Sequence, residues 1–195
     1  MFSRDQALSF LNSKITQVNI IKHSLALEAL MNGVYEALSA KGISDLGGNK
    51  EEWLMAGLLH DADYLPEVPE DKQGVQVVEW LKESGLKIPE NVAYCMASHN
   101  WENTKVKPKS PMDWTIYCGD SLTGLIVACA LVLPTKKLAD LKVSSVMKKF
   151  KNLSFAGGTR RDSIVLCQGK LGLTLEEFIT ISLSSMQKIA GDLGL

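Results

Sequence analysis

The chain has 195 residues, of which 46% are hydrophobic and 22% are charged, and its formal net charge is −1. This composition is typical of a folded globular protein and excludes an intrinsically disordered chain. The length suits a single domain with a sizeable buried core.

The sequence does not indicate a membrane span or a secretion signal. The longest apolar run, 122–133, is shorter than the roughly 20 residues needed to cross a bilayer. Arg4 and Asp5 stand near the start with no long apolar segment, so we expect a cytoplasmic protein without a signal peptide. The four cysteines lack CxxC spacing, and we expect them to be free, mostly buried thiols.

The spacing of apolar residues predicts helices along the whole chain, and no stretch alternates convincingly with a period of two. We therefore predict an all-α fold. The predicted helices cover 3–15, 19–40, 50–60, 70–84, 89–99, 111–133, 143–150, 161–171 and 174–194, with N-caps at Ser3, Asn19, Asn49 and Thr174. Gly119 is a candidate break in the long helix, and 100–110 is predicted as a loop.

The three histidines, His23, His60 and His99, all fall in or at the end of predicted helices with apolar faces. An unpaired imidazole in an apolar core costs stability. Each histidine alone is explained as a core residue whose ring nitrogens are hydrogen-bonded. Three histidines together, with Asp61 beside His60, favour a functional site. His60 and Asp61 stand near the predicted end of their helix, where adjacent side chains can share a target.

Asp120 stands in the segment 117–124, directly before a nearly unbroken apolar run. One interpretation is a helix N-cap. The other is a carboxylate that faces inward as a metal ligand. Two histidines and two aspartates suit a divalent ion such as Mn, Fe, Co, Ni, Zn or Mg. An ion with open positions can lower the pKa of bound water to about 7.

The order His23, His60-Asp61, Asp120 resembles the H…HD…D signature of the HD-domain metal-dependent phosphohydrolase superfamily. Further segments resemble its bacterial HDIG-type members, namely 56–64, 97–100, 120–126, 148–151 and 175–178. The resemblance implies one HD-type helical bundle over 1–195, with a core at about 19–133 and additional C-terminal helices over about 134–195. It also implies that His23, His60, Asp61 and Asp120 are metal ligands and that the reaction is hydrolysis of a phosphate ester, often a nucleotide.

One departure from the resemblance concerns the number of metal ions. Two-metal members carry another histidine soon after the HD pair, and 69–74 contains none here. This favours one ion over two and leaves His99 as a candidate for a second ion or for the substrate. We expect Asp63, three residues after His60, to act with Asp61 as a catalytic residue that orients water. A solvated loop carboxylate is the alternative.

The segment 136–161 contains eight basic residues and one acidic residue. Such cations suit a phosphate substrate, and we expect Lys149, Arg160 and Arg161 to contact it. His99, Asn100 and Lys72 are further candidate contacts. The alternative is a solvated helix face. A nucleic-acid surface is not favoured, because no interleaved aromatic residues or known binding motif accompany these charges.

Three functions are consistent with the sequence. The first is a phosphohydrolase that uses metal-activated water on a small phosphorylated substrate such as a nucleotide. The second is a regulatory module that holds a metal ion and a nucleotide without turnover. The third is a structural helical protein with core histidines. The sequence specifies neither the substrate nor the oligomeric state.

Overall fold

A computed structural model describes residues 2–195, and within that range it is helical with no strand, which confirms the all-α class. The helices are α1 (Arg4–Lys14), α2 (Val18–Ala40), α3 (Lys50–Leu59), α4 (Gln76–Glu83), α5 (Glu90–His99), α6 (Trp101–Thr104), α7 (Pro111–Leu131), α8 (Val143–Lys151), α9 (Arg161–Val165), α10 (Cys167–Leu171), α11 (Leu175–Lys188) and α12 (Ala190–Leu193). Short 3₁₀ turns occur at Glu70–Lys72 and Leu138–Asp140.

Four helices begin with a capping box, in which the N-cap residue and the residue three positions later bond each other's backbone amides. The pairs are Ser3 with Gln6, Asn49 with Glu52, Ser110 with Asp113, and Thr174 with Glu177. The predicted N-caps at Ser3, Asn49 and Thr174 are confirmed. The N-cap predicted at Asn19 is wrong, because α2 begins at Val18 and follows Gln17.

The helix predicted over 70–84 is wrong in its first half. The chain forms a 3₁₀ turn there, and α4 begins only at Gln76. Gly74 separates the two with a φ of +84°, a left-handed conformation that favours glycine. A β-carbon on Gly74 would lie 2.4 Å from the carbonyl oxygen of Met96, so no larger residue fits. Apolar spacing alone does not reveal such a close approach.

Four other features differ from the prediction. The expected loop 100–110 contains the short helix α6, and the long helix α7 runs through Gly119 without a break. The segment 161–171 forms two short helices, α9 and α10, instead of one. The last predicted helix ends at Lys188 and is followed by α12.

Helix α2 packs against α3, α7 and α11. Two glycines allow close approaches to it. A β-carbon on Gly57 of α3 would lie 2.9 Å from Cα of Glu28, and one on Gly119 of α7 would lie 2.7 Å from a methyl group of Leu30. The side chains that follow these glycines, at the end of α3 and in the middle of α7, are thereby held next to α2.

The segment after Pro134, predicted as an extension, packs onto the rest of the chain. Helix α11 lies against α2 and α7, and its buried residues belong to the same apolar cluster as those of α1. Helix α7 meets the length and hydropathy criteria for a membrane span, but 67% of its most apolar window is buried inside the protein. All four cysteines are free and buried, as predicted.

Candidate metal centre

Helices α2 and α3 bring imidazole and carboxylate groups to one point. His23 lies in the second turn of α2, His60 is the C-cap of α3, and Asp61 follows it. One ligand atom from each of these residues lies within 4.8 Å of the other two. This cluster could therefore hold a metal ion, as the sequence predicts.

Hydrogen bonds determine which ring nitrogen of each histidine faces the cluster. Nδ1 of His60 lies 2.9 Å from the carbonyl oxygen of Gly57, which can only accept, so this nitrogen carries the proton. Nδ1 of His23 lies 3.1 Å from the hydroxyl of Thr123, which itself donates to the carbonyl of Asp120. Nδ1 of His23 is therefore also a donor. In their neutral forms, both rings direct an Nε2 lone pair at the cluster.

These acceptor atoms lie close enough to repel one another. The Nε2 atoms of His23 and His60 are 3.2 Å apart, and neither carries a proton in the neutral form. Oδ2 of Asp61 lies 3.3 Å from Nε2 of His60 and 3.6 Å from Nε2 of His23. Atoms bonded at about 2 Å to one ion are themselves about 3 to 3.5 Å apart. A divalent ion that accepts nitrogen and carboxylate ligands therefore fits this donor set.

Asp120 lies at the edge of the cluster. Its Oδ1 is 3.0 Å from Nε2 of His23, and its Oδ2 accepts a hydrogen bond of 2.8 Å from Arg160. It lies ten residues inside α7 and is therefore not a helix N-cap. Asp120 does not belong to the group of three mutually close ligands, so its role as a fourth ligand stays a prediction.

His99 approaches the cluster from α5. Its Nε2 lies 3.4 Å from Oδ1 of Asp61, and its Nδ1 bonds the carbonyl of Met96. The residue is only 5% exposed, so the structure sets it beside Asp61 instead of on a surface that meets substrate. Burial acts to lower the pKa of His99, but the hydrogen bond and charge of Asp61 and the charge of Asp120 outweigh it and raise the pKa to about 9.

The same balance acts on the other groups. Burial acts to raise the pKa of Asp61, but the charges and hydrogen bonds of His60 and His99 hold it well below its usual range. Burial likewise opposes ionisation of Asp120, and the hydrogen bond and charge of His23 lower its pKa. The pKa of His23 is raised against burial by the same two carboxylates. Without a metal ion, protonation of His23 and His99 supplies positive charge beside the carboxylates.

The expected catalytic role of Asp63 does not agree with its surroundings. Its side chain is fully buried, and its carboxylate accepts hydrogen bonds of 2.8 and 2.9 Å from the backbone amides of Val77 and Gly74. Asp63 therefore fixes the start of α4, a structural role. Burial raises its pKa despite these bonds. The turn at Gly74 that creates this role is the feature that apolar spacing did not predict.

Two other predicted substrate contacts also serve the fold. The side chain of Asn100 donates to the carbonyl of Glu70 and accepts from Asn103, so it ties α6 to the 3₁₀ turn. Arg161 donates to four backbone carbonyls and holds the loop between α8 and α9. These carbonyls belong to Phe150, Asn152, Phe155 and Ala156.

The alternative prediction for Lys149, a cation on the helix face, agrees better with its position 4.4 Å from the centre of the Phe155 ring.

Arg160 is the member of the basic segment that reaches the cluster. Besides Asp120, it donates to Oγ of Ser121 at 3.3 Å and to Oε2 of Glu102 at 3.1 Å. The sequence reasoning missed Glu102, which also accepts from the hydroxyl of Tyr117. Glu102 stands three residues after His99 in a segment predicted as loop, and this proximity to a candidate site residue is what could have identified it. The sequence reasoning also gave no role to Thr123. Thr123 stands three residues after Asp120, so its hydroxyl lies on the same helix face as the Asp120 carboxylate.

Comparison with known proteins identified no relative of this chain. No protein-family model matches the chain, no curated protein matches it, and no solved structure matches it. The likeness to the HD-domain superfamily therefore rests on the residues themselves.

Proposed function

We propose that this protein is a metal-dependent phosphohydrolase that cleaves a small phosphate ester, with nucleotides among the candidate substrates. The supporting observation is that one ligand atom each of His23, His60 and Asp61 lies within 4.8 Å of the other two, and that the guanidinium of Arg160 bonds Asp120 at the edge of this cluster. A metal ion and an arginine are the positive groups that hydrolysis of an anionic phosphate ester requires. The order of the ligands along the chain, which resembles the HD signature, points the same way.

In the proposed reaction, the oxygen of water bonds to phosphorus while the ester P–O bond breaks, and the released alcohol takes one proton of the water. A bound ion supplies a Lewis acid for a phosphate oxygen and lowers the pKa of water toward about 7. Arg160 donates to phosphate oxygens, and Asp120 orients its guanidinium. Asp61 accepts a hydrogen bond from the attacking water, while His99 holds its carboxylate in place.

One observation favours the second candidate, a module that binds metal and nucleotide without turnover. Asp63, which was expected to act as a catalytic residue that orients water, is buried and bonded to backbone amides. The site therefore has one free base fewer than expected. A module of this kind would need the same metal ligands but no attacking water.

Two matched substitutions test the proposal. Protein stripped with EDTA is reloaded with Mn, Co, Ni, Zn or Mg in turn. Phosphate release is then measured from p-nitrophenyl phosphate, nucleoside monophosphates, cyclic nucleotides and dNTPs. Asp61→Asn is expected to weaken metal binding by at least about 100-fold and to abolish release. Asp63→Asn, two residues away, is expected to keep both while it lowers the melting temperature.

The outcomes separate the candidates. Full metal content and full activity in Asp61→Asn would reject the assignment of the cluster. A nucleotide that raises the melting temperature of the metal-loaded protein but survives hours of incubation would support the binding module. A protein that takes up no metal would leave a structural role for the histidines.

A further inference from the structure

A cavity of about 430 Å³ adjoins the metal centre, because His23 and Thr123 form part of its wall. The rest of the wall is mainly apolar, with Ala26, Val127, Leu131, Leu193 and Leu195. Its volume is in the range of sites that hold small organic molecules. Another cavity, of about 400 Å³, lies beside Arg4 and Glu28, but no residue of the metal centre lines it.

The wall of the first cavity carries one basic side chain. Lys22 lines it, and no aspartate or glutamate of the described chain does so. Nζ of Lys22 lies 2.8 Å from the point that a β-carbon on Gly194 would occupy, so the ammonium group lies beside the C-terminal wall. Asn19 adds an amide at the same end of α2. A ligand here meets a cation, apolar side chains and one residue of the metal centre, His23.

Gly124 in the cavity wall has no packing explanation. Glycine inside a helix costs about 1 kcal/mol relative to alanine. At Gly57 and Gly119, a β-carbon would collide with α2, which explains those two glycines. A β-carbon on Gly124 would meet no atom within 4 Å. Gly124 is exposed and lies at the open side of the cavity, where a larger side chain has room to enter. We name this cavity the Gly124 cavity.

We propose that the Gly124 cavity binds the organic group of a phosphate monoester whose phosphate lies at the metal centre, and that this group is apolar or aromatic. The inference rests on the proposed function, which supplies the phosphate. Apolar side chains over most of the wall favour an organic group that leaves water on binding. A larger side chain at position 124 would leave less room for the organic group.

The test uses two phosphonates whose P–C bond takes the place of the hydrolysable ester bond. These are 1-naphthylmethylphosphonate and methylphosphonate, and their binding to Mn²⁺-loaded protein is measured by isothermal titration calorimetry. The wild-type protein is expected to bind the naphthylmethyl compound at least about tenfold more tightly. Gly124→Leu fills the cavity and is expected to bring this ratio close to one, with the affinity for methylphosphonate unchanged.

Gly169→Leu is the matched control, because Gly169 is an exposed helical glycine whose β-carbon would also meet nothing within 4 Å. It is expected to leave both affinities unchanged. Val127→Phe fills the same cavity from one turn away and serves if Gly124→Leu does not fold. A ratio near one in the wild type, or a ratio that survives the filling substitutions, overturns the cavity proposal.

Phosphate release from 1-naphthyl phosphate separates the two proposals. If the filling variants lose the selectivity but no ester is hydrolysed, the cavity stands and the hydrolase proposal fails. If esters are hydrolysed and the ratio of the two phosphonate affinities does not change on substitution of Gly124, the hydrolase proposal stands and the cavity proposal fails.

Discussion

Two regions of the molecule were expected to meet at a phosphate substrate, and they differ in how far they do so. The metal-ligand cluster draws His23, His60 and Asp61 from two helices into one group. The basic segment 136–161 does not converge in this way. Of its three predicted contacts, Arg160 reaches the cluster, whereas Lys149 and Arg161 interact with the chain around them.

The difference follows from burial. A histidine or aspartate on an apolar helix face must find partners inside the protein, which leaves few arrangements open. A lysine or arginine can keep its charge in water from almost any surface position. A cluster of basic residues in the sequence therefore says little about which of them share a target, while isolated polar residues in apolar helices say much more.

Arg160 and Arg161 show this within two consecutive residues. They stand at the start of α9 and their side chains serve opposite purposes. Arg161 binds three backbone carbonyls of the preceding loop and that of Phe150 in α8, and Arg160 binds Asp120, Ser121 and Glu102. We infer that the loop anchored by Arg161 supports the position of Arg160.

The largest expected effect comes from Arg160→Met. It removes the guanidinium beside Asp120 and is expected to lower kcat by about 100-fold, because a positive group no longer meets the developing charge. Metal content is expected to change by less than about twofold, since no cluster ligand is lost. Steady-state kinetics and elemental analysis check both values. An unchanged kcat would place Arg160 outside the reaction.

Several parts of the fold and site could be predicted from the sequence. Apolar spacing predicted the all-α class, and capping chemistry predicted the starts of α1, α3 and α11. The metal-ligand cluster followed from polar residues in apolar helices. The role of Asp63 could not be predicted, because it depends on the left-handed turn at Gly74. Gly74 is needed there because the backbone of Met96, in the distant helix α5, lies too close for a side chain.

The next effect tests the electrostatics of the cluster after chelation. The pKa of His99 is raised to about 9, above an unfolded value of about 6.5, so its protonation stabilises the fold fully below pH 6.5. That contribution is lost as the pH rises through 9. Asp61 and Asp120 stay ionised throughout, because their pKa values are lowered.

With EDTA present, the free energy of unfolding is therefore expected to fall by about 2 kcal/mol between pH 7 and pH 9.5. Urea denaturation at several pH values measures it. His99→Gln is expected to remove most of this dependence. A curve that is flat over this range in the wild type would show that the cluster does not hold its proton on His99.

A smaller effect is expected from Arg161→Lys. Lysine keeps the charge but loses the planar fork that bonds three carbonyls of the loop and one at the end of α8. We expect the free energy of unfolding to fall by about 1.5 kcal/mol, measured by urea denaturation at pH 7. Metal content should stay the same. No loss of stability would mean that the loop does not depend on these bonds, and the support for Arg160 would need another source.

The smallest effect is expected from Lys149→Met. Nζ of Lys149 lies 4.4 Å from the centre of the Phe155 ring, and a partly exposed contact of this kind contributes about 0.5 kcal/mol or slightly more. The methionine side chain still covers the ring, so we expect a loss of stability below about 0.5 kcal/mol and an unchanged KM for the best substrate at low salt. A KM that rises several-fold, and recovers toward the wild-type value at high salt, would restore Lys149 as a substrate contact. In that case Lys149 and Arg160 would both contact the substrate. The basic segment and the metal-ligand cluster would then differ only in their distance from the metal ion.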